Sequence, residues 1–227
     1  MGAFATVCAL TWACARRAVD IEPPRGGRAL SATERDELAR IAEATFRDVR
    51  TEMPALPPRL TLILRWGTDV IPETGESGTM SLPHNIAWTI DPARDVTAVV
   101  KKELRATLAH ELHHMARETR VHPVTLMDRV IEEGLATAYE RDFAHVAPPW
   151  GEALPEATAL AWTRELLAQP KGAERGPWLY RHPDGRRWVG MRAGTFLVDR
   201  AMRKSGQTAA QLAQTETAEI VRLADMR

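Results

Sequence analysis

The pentapeptide His110-Glu111-Leu112-His113-His114 holds three of the chain's seven histidines, and its spacing restricts the fold more than any other feature. On an α-helix successive side chains turn by about 100°, so His110 and His114 stand about 40° apart, one turn above the other, where both can grip one ion. Glu111 points about 80° from their mean direction, close to such an ion without being a natural ligand of it. Two neutral imidazoles leave coordination positions open. A carboxylate beside them can take a proton from a water whose pKa a zinc ion lowers to about 7. His113 lies about 100° from His114 and is expected at the solvent or on a cleft wall.

The helix that carries this pattern is expected from about Val96 to Thr119, with Asp95 as its N-cap. Val100, Leu104, Leu108, Leu112 and Met115 form its apolar stripe; Glu111 falls within the angular range of that stripe, and His110 and His114 fall on its shoulder. That places the histidines at the boundary between core and solvent.

Around this helix the chain reads as mostly α with a small early sheet, hence α+β. A helix should begin near Ser31 or Thr33, with Leu38, Ile41, Ala42, Phe46 and Val49 as its stripe, and end at "MPALPP". "RLTLILRW" (59–66) and "NIAWTID" (85–91) read as strands. The stretch between them, broken by Gly67, Pro72, Gly75, Gly78 and Pro83, reads as loop, with "GESG" (75–78) lacking the strand-to-helix context of a phosphate site. The second strand directly precedes the histidine helix and is a candidate sheet edge for pairing with an extended peptide. Further helices are expected at 124–143, 157–168, 189–204 and 209–223. Gly190 and Gly194, four apart, suit close helix packing, and Trp66, Trp88, Trp162 and Trp188 read first as core.

A metal held by two histidines needs a third ligand. His122, Asp128, Glu132 and Glu133 are the candidates. The metzincin pattern would need Gly at 117 and His at 120, where this chain has Arg117 and Arg120. "IEEGLATAYER" (131–141) suits the role better: eighteen residues separate His114 from Glu133, enough to turn at His122-Pro123 and return on a second helix. Glu140, seven positions after Glu133, lies about 20° from it on that helix, so one can ligate while the other orients a ligand histidine.

His-Glu-x-x-His, eighteen residues, then Glu-Gly-small with a second Glu seven on, resembles the gluzincin clan of zinc peptidases. More narrowly, "HELHH", "EEGLA" and "WVGMRAGTFLVDRAM" resemble a bacterial family of predicted zinc-dependent proteases, over roughly residues 60 to 215. The resemblance implies a Zn2+ cofactor held by His110, His114 and Glu133, with Glu111 as general base, Glu140 behind a ligand histidine, and a peptide or protein substrate. Aminopeptidases of the clan have Asn before the ligand Glu. This chain has Glu132, which puts recognition of a free N-terminus in doubt. A donor for the oxyanion is also expected. Tyr139 lies about 240° round its helix from Glu133 and should point away, so Tyr180 ranks first, with Arg192 and His182 as rivals. The alternative reading is a metal-binding or interaction domain of the same fold without catalysis.

Thirty basic and thirty acidic residues cancel, so no global field for nucleic acid or an anionic membrane is expected. "AFATVCALTWACA" (3–15) is as long as a signal-peptide apolar core but has no Lys or Arg before it, and it is too short to span a bilayer. Cys8 and Cys14 have no metal-like or redox-like spacing. Residues 1–27 are thus read as an N-terminal segment and linker, and 28–227 as one zincin-like domain. A cytoplasmic location is favoured, with export the alternative if residues 1–15 are a cleaved signal.

Overall fold

The computed structural model describes residues 17–226; the apolar N-terminal run and both cysteines lie outside them. The element order is β1 (Val19–Glu22), α1 (Ala32–Glu52), β2 (Leu60–Trp66), β3 (Glu76–Ser81), β4 (Asn85–Ile90), α2 (Val96–Glu118), α3 (Leu126–Ala144), α4 (Glu156–Leu167), α5 (Gly176–Leu179), α6 (Val189–Ser205), α7 (Ala209–Leu212) and α8 (Thr217–Leu223). This is the expected α+β arrangement, with α2 following the sheet. No helix among the described residues is long and apolar enough to cross a membrane.

Local signals start the elements. Ser31 and Glu34 close a reciprocal capping box at the head of α1, and the Arg28 guanidinium forks onto Glu34 at 2.8 and 2.6 Å. Leu38, Ala42, Phe46 and Val49 then bury one stripe of α1 in the core. Asp95 caps α2 through the Ala98 N–H, and Thr125 with Asp128 forms a second capping box on α3.

The sheet has the order β1-β2-β4-β3, with β1 and β4 both parallel to β2 and β3 antiparallel to β4. Two strands here were not expected. β1 is only four residues long. β3 lies in the stretch read as loop, and "ESGTMS" has little apolar alternation because it is an edge strand lying across α2 and beside a cleft. β4 is therefore internal, and the sheet edge next to the histidine helix is β3, which corrects the assignment of that edge to 85–91.

Every residue of α2 from Leu108 to Arg117 is buried, so its second half meets solvent only where it borders a cleft. The expected single helix over 209–223 is broken into α7 and α8. The physical reason is Arg117: its buried guanidinium donates to the carbonyls of Ala213 (2.9 Å) and Thr215 (2.8 Å) in the break, taking acceptors that a continuous helix would have used itself.

α3 and α6 meet backbone to backbone. A Cβ at Gly134 would lie 2.8 Å from the Gly194 Cα and nearer still to its carbonyl, and one at Gly194 would run into the Val130 carbonyl. Close packing at Gly190 and Gly194 is as expected; Gly134 completes it. At Gly190 the first obstacle is a flexible Leu179 methyl at 2.8 Å. Gly194→Ala is therefore expected to lower stability by about 2 kcal/mol or more, through forced separation of the helices, and Gly190→Ala by clearly less. Urea denaturation of the two variants checks the order.

Candidate metal centre

α2 and α3 run side by side and turn His110, His114 and Glu133 toward one point. The Glu133 Oε2 lies 3.3 Å from His110 Nε2 and 3.6 Å from His114 Nε2, and the three ligand atoms all fall within 4.8 Å of one another. Tetrahedral zinc, with bonds of about 2.0–2.2 Å, requires donors about 3.3–3.6 Å apart. The two donor separations measured to Glu133 fit that shape, and two imidazoles with one carboxylate is a zinc-binding set. His110 and His114 are each 8 % exposed, at the core boundary as expected.

Buried carboxylates stand behind both histidines. Glu140 Oε2 lies 3.0 Å from His110 Nδ1 and accepts the Trp150 indole N–H at 3.2 Å. With His110 Nδ1–H donating to Glu140, the Nε2 lone pair is left toward Glu133. Glu132, 0 % exposed, sits behind His114, with its Oε1 3.8 Å from Nδ1. Its Oε2 accepts from Arg129 at 2.6 Å.

Burial works against a proton on His110, but the hydrogen bonds and charges of Glu133 and Glu140 outweigh it and hold its pKa well above the ordinary value. His114 is raised too, against burial, chiefly by the Glu133 charge. Burial alone would push the Glu133 carboxyl up; the two imidazoles overcome it and hold it below the usual carboxylate range. Glu133 is thus a largely buried anion, its side chain 14 % exposed, that needs cationic compensation, which a metal ion supplies as well as a proton does.

Glu111 turns away from the trio's centre to the sheet edge. Its Oε2 accepts the Met80 N–H at 2.7 Å, and its side chain passes under Gly78, where a Cβ would stand 2.9 Å from Glu111 Cγ. Above these groups opens a cleft of about 670 Å³. β3 and the segment Val70–Pro72 line it on one side, and Trp150, Tyr180, Trp188 and Met191 on the other. Tyr180 is 55 % exposed, with its ring edge-on to Trp188 at 6.1 Å.

Several expected positions fall elsewhere. His113 is neither solvent-facing nor a cleft wall: it is 0 % exposed, and its Nε2 lies 3.1 Å from the Ala209 carbonyl. Burial pushes its pKa down to about 3, so it is a neutral core histidine tying α2 to α7. Asp128 caps α3 and does not join the trio, and His122 is exposed. Arg192 is held by Glu152 and the Pro149 carbonyl, and His182 is paired with Asp184 at 2.9 Å against Trp178; neither lines the cleft. Tyr139 points away from it, as expected, stacked between His113 and Phe143. Trp88 is core, whereas Trp188 faces the cleft from a left-handed backbone conformation (φ 60°). The residues missing from the sequence reading are Gly78, Met80 and Trp150. They sit on an unrecognised strand and a short turn, and no local pattern points to them.

Fold and site together define an α+β protein with a buried His-His-Glu group of HExxH type. Residues 38–222 match the family model described as predicted Zn-dependent protease (DUF2268), and the chain belongs to that family. None of the curated proteins matches it.

The division among the histidines is directly measurable. His113→Ala should lower stability by about 2–4 kcal/mol through a lost buried hydrogen bond and a cavity, yet leave metal uptake intact. His114→Ala should abolish stoichiometric zinc uptake with a smaller loss of stability. Metal analysis alongside thermal unfolding separates the two.

Proposed function

We propose that this protein is a gluzincin-type zinc peptidase that hydrolyses peptide bonds in the cleft above His110, His114 and Glu133. The observation that carries this reading is the set of three donors within 4.8 Å of one another, the two separations to Glu133 being those of a tetrahedral ion, with the Glu111 carboxylate beside them in the same cleft. His110, His114 and Glu133 would hold the zinc, which supplies Lewis-acid polarisation and a more acidic water. Glu140 fixes the tautomer and orientation of His110 from behind.

Glu111 takes the proton of the attacking water and passes it to the leaving amine. Its anchorage to the Met80 N–H supports that role, because one oxygen is fixed by the strand and the other remains for the proton. The Met80 N–H points away from β4, and by strand alternation the Gly78 backbone does too. An extended peptide can therefore add along β3 with its scissile bond over Glu111. Tyr180 lines the opposite wall as the hydroxyl donor for the oxyanion. Together with Trp188 and Met191 it gives substrate side chains an apolar surface.

Two substitutions test this. Glu111→Gln should retain about one zinc per chain and lose roughly 10²–10⁴-fold in hydrolysis of a fluorogenic peptide library. Unchanged hydrolysis would remove Glu111 from the mechanism, and a wild-type protein that binds zinc but cleaves nothing would favour a metal-binding domain without catalysis. Gly78→Ala forces a methyl against Thr107 and Glu111; it should keep zinc binding and cut kcat by about tenfold or more through a misplaced base.

A further inference from the structure

Glu132 and His114 each carry a buried polar atom without a hydrogen-bond partner: Glu132 Oε1 and His114 Nδ1. These two atoms face each other at 3.8 Å. An unmatched buried donor or acceptor is costly, so two of them left opposite each other form an unfinished contact. Glu132 itself cannot swing toward the cleft: its side chain is 0 % exposed, and its Oε2 is fixed by Arg129 at 2.6 Å. Glu132 does not line the cleft, whereas Arg129 does. A role for Glu132 in receiving a substrate amine therefore has no geometric support.

We propose that Glu132 is the positioning residue of His114, accepting the Nδ1–H of that ring when its Nε2 is engaged by a metal, with Arg129 holding the carboxylate in place. This rests on the ligand assignment made above. It gives His114 what Glu140, at 3.0 Å, already gives His110. Each imidazole is then fixed in tautomer and plane by a carboxylate behind it, and the two carboxylates stand about two turns apart on α3. The 3.8 Å separation marks the His114 contact as the one that tightens on metal binding.

The test is zinc affinity by chelator competition, with the metal alone, on wild-type protein, Glu132→Gln, Glu132→Met and the double variant Arg129→Met/Glu132→Met. The double variant leaves no unpaired guanidinium behind, so it covers the case in which Glu132→Met fails to fold. Glu132→Gln keeps an acceptor and should bind zinc within about threefold of wild type, while the Met variants should bind roughly 10–100-fold more weakly. In the cobalt-loaded proteins, two exchangeable imidazole N–H resonances are expected for wild type and Glu132→Gln. In the Met variants the one from His114 should be displaced or lost to exchange, and the one from His110 unchanged. Zinc affinity and both resonances unaltered in the double variant would overturn the proposal while leaving the ligand assignment standing. A wild-type chain that takes up no zinc would overturn both.

Discussion

The depth to which α3 sinks between α2 and α6 sets how closely Glu133 approaches His110 and His114. Helices that meet through side chains keep their axes about 8–10 Å apart. At Gly134 and Gly194 there are no side chains, and the two backbones touch. Gly134 follows Glu133 directly, so the contact that seats the helix also sets the height of the third donor. Moving α3 by the width of a methyl group would alter the 3.3 and 3.6 Å separations to His110 and His114, which one zinc ion would have to span. The glycine of "EEGLA" is thus a packing residue with a chemical consequence.

The second constraint is electrostatic. Glu76, Glu132, Glu140 and Glu111 are all buried around or beside the trio, where an uncompensated carboxylate is costly. Each has named donors or a facing cationic group. Glu76 accepts from Trp88 (2.6 Å) and Thr107 (2.8 Å), Glu140 from Trp150 and His110, Glu132 from Arg129 and Glu111 from the Met80 backbone. Burial raises the carboxyl pKa of Glu76, Glu132 and Glu140 even so. Glu133, in contrast to these three, is held below the usual range by His114 and His110, which makes it the anionic member around which the cluster is built.

How much of this is legible in the sequence depends on how local the cause is. The helix bearing His110, Glu111 and His114, its Asp95 cap and the return of Glu133 on a second helix follow from spacing, since four-residue and seven-residue intervals fix faces. The strand β3 does not, because its residues are mostly polar and include a glycine for reasons that lie on α2: Gly78 leaves room for Glu111, and Met80 gives Glu111 a backbone donor. Nor does the burial of Arg117 or of His113, which is expected at the solvent or on a cleft wall. Their partners, Ala209, Ala213 and Thr215, are about a hundred residues further on, and that same distant contact explains why 209–223 is two helices instead of one. Trp188 and Trp150 likewise join the cleft only through tertiary placement, as Trp150 reaches back to Glu140.

The most direct test of the account is anomalous diffraction at the zinc edge from crystals of the zinc-loaded protein. One peak is predicted, within about 2.0–2.2 Å of His110 Nε2, His114 Nε2 and a Glu133 carboxylate oxygen, with Glu111 close by but unbound. A zinc peak bound by Glu132 or Glu111 in place of Glu133, or no peak at this position under saturating zinc, would contradict it.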